Sequence, residues 1–172
     1  MKKGKLLLNW QKEPVGVHLG NNNVFWLKDQ KTYSYSNQQM LALFYQENGL
    51  QGANLSYANL YGVDLTGANL YGADLTGANL RGVFLEGANL TGAKLSGAYL
   101  RGANLVGANM RYADLIGANL YGADLTGADL QSVSLSGADL TGADLQSVSL
   151  SGADHDKNTI WPTGFDKSRL SS

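Results

Sequence analysis

The chain contains no cysteine, two prolines and two histidines among its 172 residues. Without cysteine, disulfides, thiolate metal sites and thiol nucleophiles are excluded. His18 and His155 lie far apart in the sequence, so no histidine pair indicates a metal or catalytic centre. The formal net charge of −1 provides no strong field to attract nucleic acid. We therefore expect no metal, no cofactor and no direct binding of nucleic acid.

Long apolar runs are also absent from the chain. No stretch reaches the ~18 consecutive apolar residues that a membrane helix requires. The basic start is followed by only three apolar residues, Leu6 to Leu8, whereas a signal peptide needs an apolar region of about 7–15 residues. The sequence is therefore interpreted as that of a cytoplasmic protein that does not associate with membranes.

A five-residue phrase, Gly-Ala-Asn/Asp-Leu-x, fills residues 52–154. Leucine occupies every fifth position from Leu50 to Leu150, and Met110 replaces it once. In an extended chain residues two apart point to the same side, so Ala53 and Leu55 face one way and the Asn between them faces the other. The Ala and Leu of successive units all face inward only if the chain turns a corner between units. Gly, Asn and Asp are residues that turns favour. The pattern predicts a solenoid lined by Leu and Ala.

Two other structures were weighed against the solenoid. A helix is disfavoured because each Gly in a helix interior costs about 1 kcal/mol. A period of five also spreads the Leu residues around a 3.6-residue helical wheel, so no single apolar stripe forms. A disordered tract is disfavoured because disordered segments lack such a regular apolar pattern.

The tandem Ala-(Asn/Asp)-Leu-x-x pattern over residues 50–154 resembles the pentapeptide-repeat family. That resemblance implies a mainly β fold, a right-handed four-sided β-helix with four units in each coil. The Leu and the residue two before it would point inward. The units then make about five coils, and a strand spacing of ~4.8 Å gives a rod about 25 Å long.

Residues 1–49 lack the repeat and are predicted to cap the N-terminal end of the rod. Strands are predicted at 15–19, 24–28 and 33–35, because apolar residues there alternate or cluster between turn residues. A capping-box sequence then predicts a short helix over about 37–48.

Residues 155–172 are predicted to form a C-terminal cap and tail. This segment is similar to a closing sequence of the same family, in which Ile160, Trp161 and Phe165 would plug the end of the rod. Residues 167–172 are expected to be frayed. Within the rod, four units lack the corner Gly and are predicted to use a different turn type; the replacing residues are Tyr57, Tyr112, Ser132 and Ser147.

With four units per coil, residues twenty apart stack, and one side of the rod gathers Tyr61, Arg81, Arg101 and Tyr121, with Tyr99 beside them. Aromatic and Arg side chains are enriched at binding hot spots, so this side is the candidate protein-binding face. The alternative is a solvated surface in which Arg stacks on Tyr.

No enzyme is predicted, because the repeat accepts Asn and Asp interchangeably whereas a general acid or base needs one specific carboxylate. The favoured function is a structural or interaction module, a rigid rod that binds a protein partner of unknown identity as a monomer or weak homodimer. Some members of the family imply an alternative, a DNA mimic that binds a type II topoisomerase such as gyrase. Mimicry needs a strongly acidic surface, and residues 50–154 hold nine acidic and four basic side chains. The side next to the candidate face carries acidic residues and no base: Asp64, Glu86, Asp124 and Asp144.

Overall fold

The computed structural model describes the backbone of four short strands within the first 34 residues and all of residues 50–170. The strands are β1 (Lys5–Leu8), β2 (Pro14–Gly20), β3 (Asn23–Trp26) and β4 (Lys31–Ser34), and they form one antiparallel sheet in sequence order. β2, β3 and β4 overlap the three strands predicted from the sequence, whereas β1 was not predicted. The helix predicted over 37–48 lies outside the described residues.

Residues 50–154 form a right-handed four-sided β-helix, as the resemblance implies. Backbone bridges join residues twenty apart in parallel register, for example Asn59 to Asn79 and Asn79 to Tyr99. Because each unit has five residues, this register places four units in every coil. Side chains twenty apart therefore stack above one another on one side of the rod.

The core is a single column of inward Leu, Ala and Val side chains. All the inward residues of the repeat are buried except Leu55 and Ala58 in the first coil, which are partly buried. Met110 occupies a Leu position and is fully buried. Burial of one such large apolar side chain stabilises the fold by about 1.5–3 kcal/mol, so the stacked leucines supply the main stabilisation of the rod.

A unit with Asn or Asp before its Leu can satisfy all five of its backbone N–H groups, as the unit 103–107 illustrates. The Asn104 amide donates to a backbone carbonyl of the preceding coil at 2.9 Å, and the Leu105 amide donates to one of the following coil at 2.7 Å. The Gly107 amide also donates to a carbonyl of the following coil, at 2.9 Å. The Ala103 amide closes the preceding corner at 3.0 Å. The last amide, of Val106, donates to the side-chain Oδ1 of Asn104 at 3.1 Å. Asn and Asp both offer this oxygen, which explains why the repeat accepts either.

Every corner closes with a hydrogen bond from an Ala or Val amide to the Leu or Met carbonyl three residues before, and the residue preceding that amide has a positive φ. Tyr57, Tyr112, Ser132 and Ser147 have φ between 55° and 60°, inside the left-handed region. They also keep the corner hydrogen bond, at 3.0 to 3.4 Å. The prediction of a different turn type at these positions is therefore wrong. The pairing of adjacent coils fixes the turn, and the residue adopts the conformation that the turn requires.

We expect Ser132→Gly to stabilise the rod by about 0.5–1 kcal/mol. A non-glycine residue in the left-handed region costs about 1–2 kcal/mol, and the greater unfolded-state entropy of Gly offsets part of this gain. Gly122→Ser is the reverse control, because a Cβ there meets no atom within 4 Å and only backbone strain is added. Urea denaturation measures both variants. A lower midpoint for Ser132→Gly would contradict the expectation.

The C-terminal segment begins a sixth coil in a shifted register. Ile160 pairs with Asp139, twenty-one residues earlier, so one additional residue lies between the last repeat and this pairing. Ile160 consequently takes an outward position and is 53% exposed, which corrects the prediction that it plugs the rod. Trp161 takes the inward leucine position. Trp161 and Phe165 pack against the core with their rings stacked 4.5 Å apart, as the predicted plug requires.

The guanidinium of Arg169 covers the backbone edge of the last coil. Its nitrogens donate to the carbonyls of Leu145, at 3.2 Å, and of Val148, at 2.9 Å. In earlier coils the equivalent carbonyl, that of Ala53 for example, accepts a backbone amide from the next coil. Arg169 therefore replaces the donor that a further coil would supply. It lies in a 3-10 helix, Lys167–Leu170, so the prediction of a frayed end is wrong for these residues.

The carboxylate of Asp156 holds the loop before Ile160. Its Oδ1 accepts the amides of Gly137 and Asn158, both at 2.9 Å. These hydrogen bonds, first that from Gly137, lower the pKa of Asp156 below its usual value of 3.8. A carboxylate whose pKa is lower in the folded state stabilises the fold above its unfolded pKa, and this stabilisation is lost as the pH falls through the folded value.

We therefore expect Asp156→Asn to lower the thermal midpoint at a pH of about 7 and to have a smaller effect at a pH of about 3. The Asn side chain keeps the shape and the acceptor oxygen but removes the charge. Asp154→Asn is the control, because the carboxylate of Asp154 accepts none of these amides. Thermal denaturation across this pH range tests the expectation, and a pH-independent difference would contradict it.

Candidate protein-binding face

The five residues of the predicted binding face lie on one side of the rod, and all five are exposed. This side comprises the units centred on Leu60, Leu80, Leu100, Leu120 and Leu140, and we call it the Arg–Tyr face. Tyr61, Arg81, Arg101 and Tyr121 follow the central Leu in successive coils, whereas Tyr99 precedes its Leu. The structure thus brings the predicted residues together in two adjacent columns.

Two Arg–Tyr stacks organise this face. The guanidinium carbon of Arg81 lies 5.1 Å from the ring centroid of Tyr99, and that of Arg101 lies 5.0 Å from the ring centroid of Tyr121. In each stack the Arg reaches from one coil to a ring in the next. Tyr61 begins the column and is 66% exposed. Stacking of this kind at an exposed site contributes about 0.5–1 kcal/mol and so favours the orientation of each guanidinium over its ring.

Neither guanidinium of the Arg–Tyr face forms an ion pair within residues 50–170. In that part of the chain the one ion pair joins Arg111 to Asp129 at 3.4 Å, on a different side of the rod. Arg111 also stacks on a ring, that of Tyr112, but its charge is paired. Arg81 and Arg101 therefore combine a preferred orientation over a ring with donors that no carboxylate of this part of the chain engages. A guanidinium in this state is suited to bind a carboxylate or a phosphate.

Tyr99 occupies a position that the repeat normally gives to Asn or Asp. In the neighbouring coil Asn119 uses its side-chain oxygen to accept the amide of Tyr121, at 3.1 Å. Tyr99 has no such oxygen at that position, so the corresponding bond to the Arg101 amide is not made. The hydrogen bonding of the coil therefore does not explain why a Tyr occupies position 99. Its ring instead lies beneath Arg81, on the outer surface.

The neighbouring side is acidic, but its carboxylates mostly serve the backbone. Asp64, Asp124 and Asp144 each accept the amide two residues further on, at 2.9 to 3.0 Å. The pKa of Asp64 is lowered, mainly by the hydrogen bond from the Thr66 amide. This side also carries Phe84, 49% exposed and just across a corner from Arg81, which the sequence reasoning did not single out. Its signal was an aromatic residue in an Asn/Asp position.

Neither a metal site nor a membrane-spanning helix is present in the described part of the chain. No three Asp, Glu or His side chains gather there in a way that could hold a metal ion. The described helical structure includes no segment with the length and apolar character needed to cross a bilayer. The Arg–Tyr face therefore remains the surface with the most distinctive chemistry among these residues.

The comparisons with known proteins agree with this architecture. A family model described as pentapeptide repeats matches residues 50–87, 85–122 and 118–154, with eight copies. A pentapeptide repeat protein from the Arabidopsis thaliana thylakoid lumen is 37% identical, with a TM-score of 0.56 over 57% of this chain and 68% of that one. None of the curated proteins compared matches the chain.

Two further solved structures resemble the chain. A pentapeptide repeat protein from the cyanobacterium Cyanothece is 41% identical, with a TM-score of 0.28 over 60% of this chain and 63% of that one. A trypsin-treated plasmid-mediated fluoroquinolone resistance protein is 25% identical, with a TM-score of 0.27 over 60% of this chain and 57% of that one. This chain thus spans less than two-thirds of the length of each of these two proteins.

Proposed function

The chain belongs to the pentapeptide-repeat family, and from this membership we propose that it is a non-enzymatic interaction module that presents its Arg–Tyr face to a protein partner. The β-helix is the scaffold, and the outward side chains determine what it binds. We further propose that it acts in a bacterial cytoplasm, as a monomer or a weak homodimer.

The observation that carries this proposal is that two neighbouring Arg side chains on one side of the rod stack on rings without an ion pair inside residues 50–170. Arg81 and Arg101 are held by rings and have no ion-pair partner within residues 50–170. Immobilising a flexible side chain at an interface costs about 0.5–1.5 kcal/mol, and stacking lowers this cost before the partner arrives. Large aromatic and guanidinium groups are also the commonest binding hot spots.

The alternative function, a DNA mimic that binds gyrase, depends on the acidic side of the rod. A mimic would present carboxylates in place of phosphates, and residues 50–154 carry an excess of five acidic groups. On the acidic side Asp64, Asp124 and Asp144 accept backbone amides, and Phe84 interrupts the column. The carboxylates keep their charge, but their modest excess and the interruption by Phe84 make the Arg–Tyr face the stronger candidate.

We expect Arg101→Glu to weaken capture of the partner by at least ~30-fold, because loss of a central Arg anchor typically costs about 2 kcal/mol or more. The thermal midpoint should change little, because substitution of an exposed side chain costs about 0.5 kcal/mol or less. Quantitative pull-down from the native cell, together with thermal denaturation, measures both effects. Lys94→Glu is the matched control, with the same charge change on another exposed side.

Three other results would contradict this proposal. Equal loss with Lys94→Glu would indicate a nonspecific effect of charge. Loss of capture with Asp124→Asn and Asp144→Asn, together with altered gyrase supercoiling by the purified protein, would support the DNA mimic. Asn keeps the acceptor oxygen of each turn, so these changes test charge without changing the corner. If no variant alters capture, the Arg–Tyr face is a solvated surface.

A further inference from the structure

We infer that the Arg–Tyr face binds an acidic amphipathic helix that lies along the rod axis. This inference rests on the proposed function and specifies the chemistry of the partner. Its basis is the spacing of four exposed side chains, Tyr61, Arg81, Arg101 and Tyr121, and the charge of the two Arg, which no carboxylate of residues 50–170 pairs.

The spacing of the column matches one face of an α-helix. Successive members are one coil apart, about 4.8 Å, so the third step ends about 14 Å from the first member. Residues i, i+3, i+7 and i+10 of an α-helix lie on one face and rise about 4.5, 10.5 and 15 Å from the first. The two series of backbone positions differ by less than about 1 Å at each step, so a helix along the rod can present one residue to each member of the column. Each Arg side chain leans toward the next coil, and it reaches its acceptor from there.

An extended segment does not match the column. Residues on one side of a strand are about 6.7 Å apart, so three steps span about 20 Å. A strand parallel to the rod would therefore extend about 6 Å beyond Tyr121 if it began at Tyr61. The spacing accordingly favours a helical partner over an extended one.

Charge specifies the inner positions of this helix. Arg81 and Arg101 require acceptors, and a carboxylate can accept two parallel N–H bonds from one guanidinium. Asp or Glu at i+3 and i+7 would meet them. Two acidic residues four apart repel each other in a free helix, and the Arg pair would remove that repulsion upon binding. The exposed rings of Tyr61 and Tyr121 fit apolar residues at i and i+10.

A labelled synthetic helix tests this inference against the full chain. The probe has Leu at i and i+10, Glu at i+3 and i+7, and Ala, Lys and Gln elsewhere. Fluorescence anisotropy compares it with a peptide carrying Gln at both Glu positions and with one of identical composition whose Glu residues are moved off the face. We expect the probe to bind at least ~10-fold more tightly than either peptide, with weaker binding at high salt.

Variants of the protein locate the binding. Arg81→Gln and Arg101→Gln should each weaken binding of the probe by at least ~10-fold, whereas Lys94→Gln should leave it unchanged. Thermal denaturation confirms that the variants are folded. Failure of the probe to bind, equal binding of the displaced-Glu peptide, or equal effects of all three variants would overturn the inference.

The partner captured in the pull-down separates failure of this inference from failure of the proposed function. If capture depends on Arg101 but hydrogen exchange shows that the protected partner segment is extended, the helix is wrong and the binding face stands. If Arg101→Glu leaves capture unchanged, both proposals fail. If sedimentation instead shows a dimer that Arg101→Glu dissociates, the occupant is a second copy of this chain.

Discussion

Replacement of Leu100 by Asp is expected to unfold the rod. Leu100 is 1% exposed and stacks between Leu80 and Leu120 of the adjacent coils. The change removes about 1.5–3 kcal/mol of apolar burial and adds the cost of enclosing a carboxylate that has no partner. A loss of at least about 4 kcal/mol is expected, which is comparable with the total stability of many proteins, about 5–15 kcal/mol.

Urea denaturation followed by circular dichroism measures this effect. Asn104→Asp is the matched control, because it introduces the same residue four positions away at an outward position where other units carry Asp. We expect it to change the stability by less than ~0.5 kcal/mol. If Leu100→Asp unfolded cooperatively with a midpoint near that of the wild type, Leu100 could not occupy the core.

Deletion of residues 1–49 is expected to convert the protein into an aggregating or end-to-end associating species. Each inner coil is covered by a coil on both sides, whereas the first coil has a repeat neighbour on one side only. Leu50, which begins this coil, is fully buried in the complete chain. Open strand edges and exposed core side chains at the end of a solenoid favour association with other chains.

Light scattering after size-exclusion chromatography, over a series of protein concentrations, tests the role of the first 49 residues. The complete chain is the control, measured under the same conditions. A shift to larger species with increasing concentration is expected for the truncated protein alone. A truncated chain that stays monomeric at the highest concentration would show that the N-terminal segment does not cap the rod.

The rod could be predicted from the sequence because every unit repeats the same physical argument. In each unit the Ala and Leu define the inward side, and the residues between successive pairs favour a corner. Misinterpretation of one unit would therefore not change the predicted fold. The number of units per coil came from the resemblance, and the grouping of Tyr61 with Arg81 and Arg101 followed from it. Stacking of Arg on Tyr was also expected in the alternative interpretation, but which Arg meets which ring depends on rotamers that periodicity does not define.

The departures from prediction occur where the repeat is interrupted. Ile160 faces outward because a single added residue changes the phase after residue 154. The spacing of Thr159 and Trp161, two apart like Ala and Leu, carried that signal in the sequence. Ser132 keeps the common turn because stacking between coils outweighs its local preference. Arg169 could not be assigned in advance, because its acceptors lie more than twenty residues away.

In most units an Asn or Asp side-chain oxygen accepts the amide two residues further on. Because either residue can serve, the isoelectric point of this rod can change independently of its fold. Exchange of Asn for Asp adds one negative charge and keeps the acceptor, as the similar bonds of Asn104 and Asp124, 3.1 and 3.0 Å, demonstrate. Single-base changes between Asn and Asp codons could thus move such a scaffold from near neutrality to strong acidity in small steps. Surface electrostatics can then diverge between relatives while the backbone stays the same.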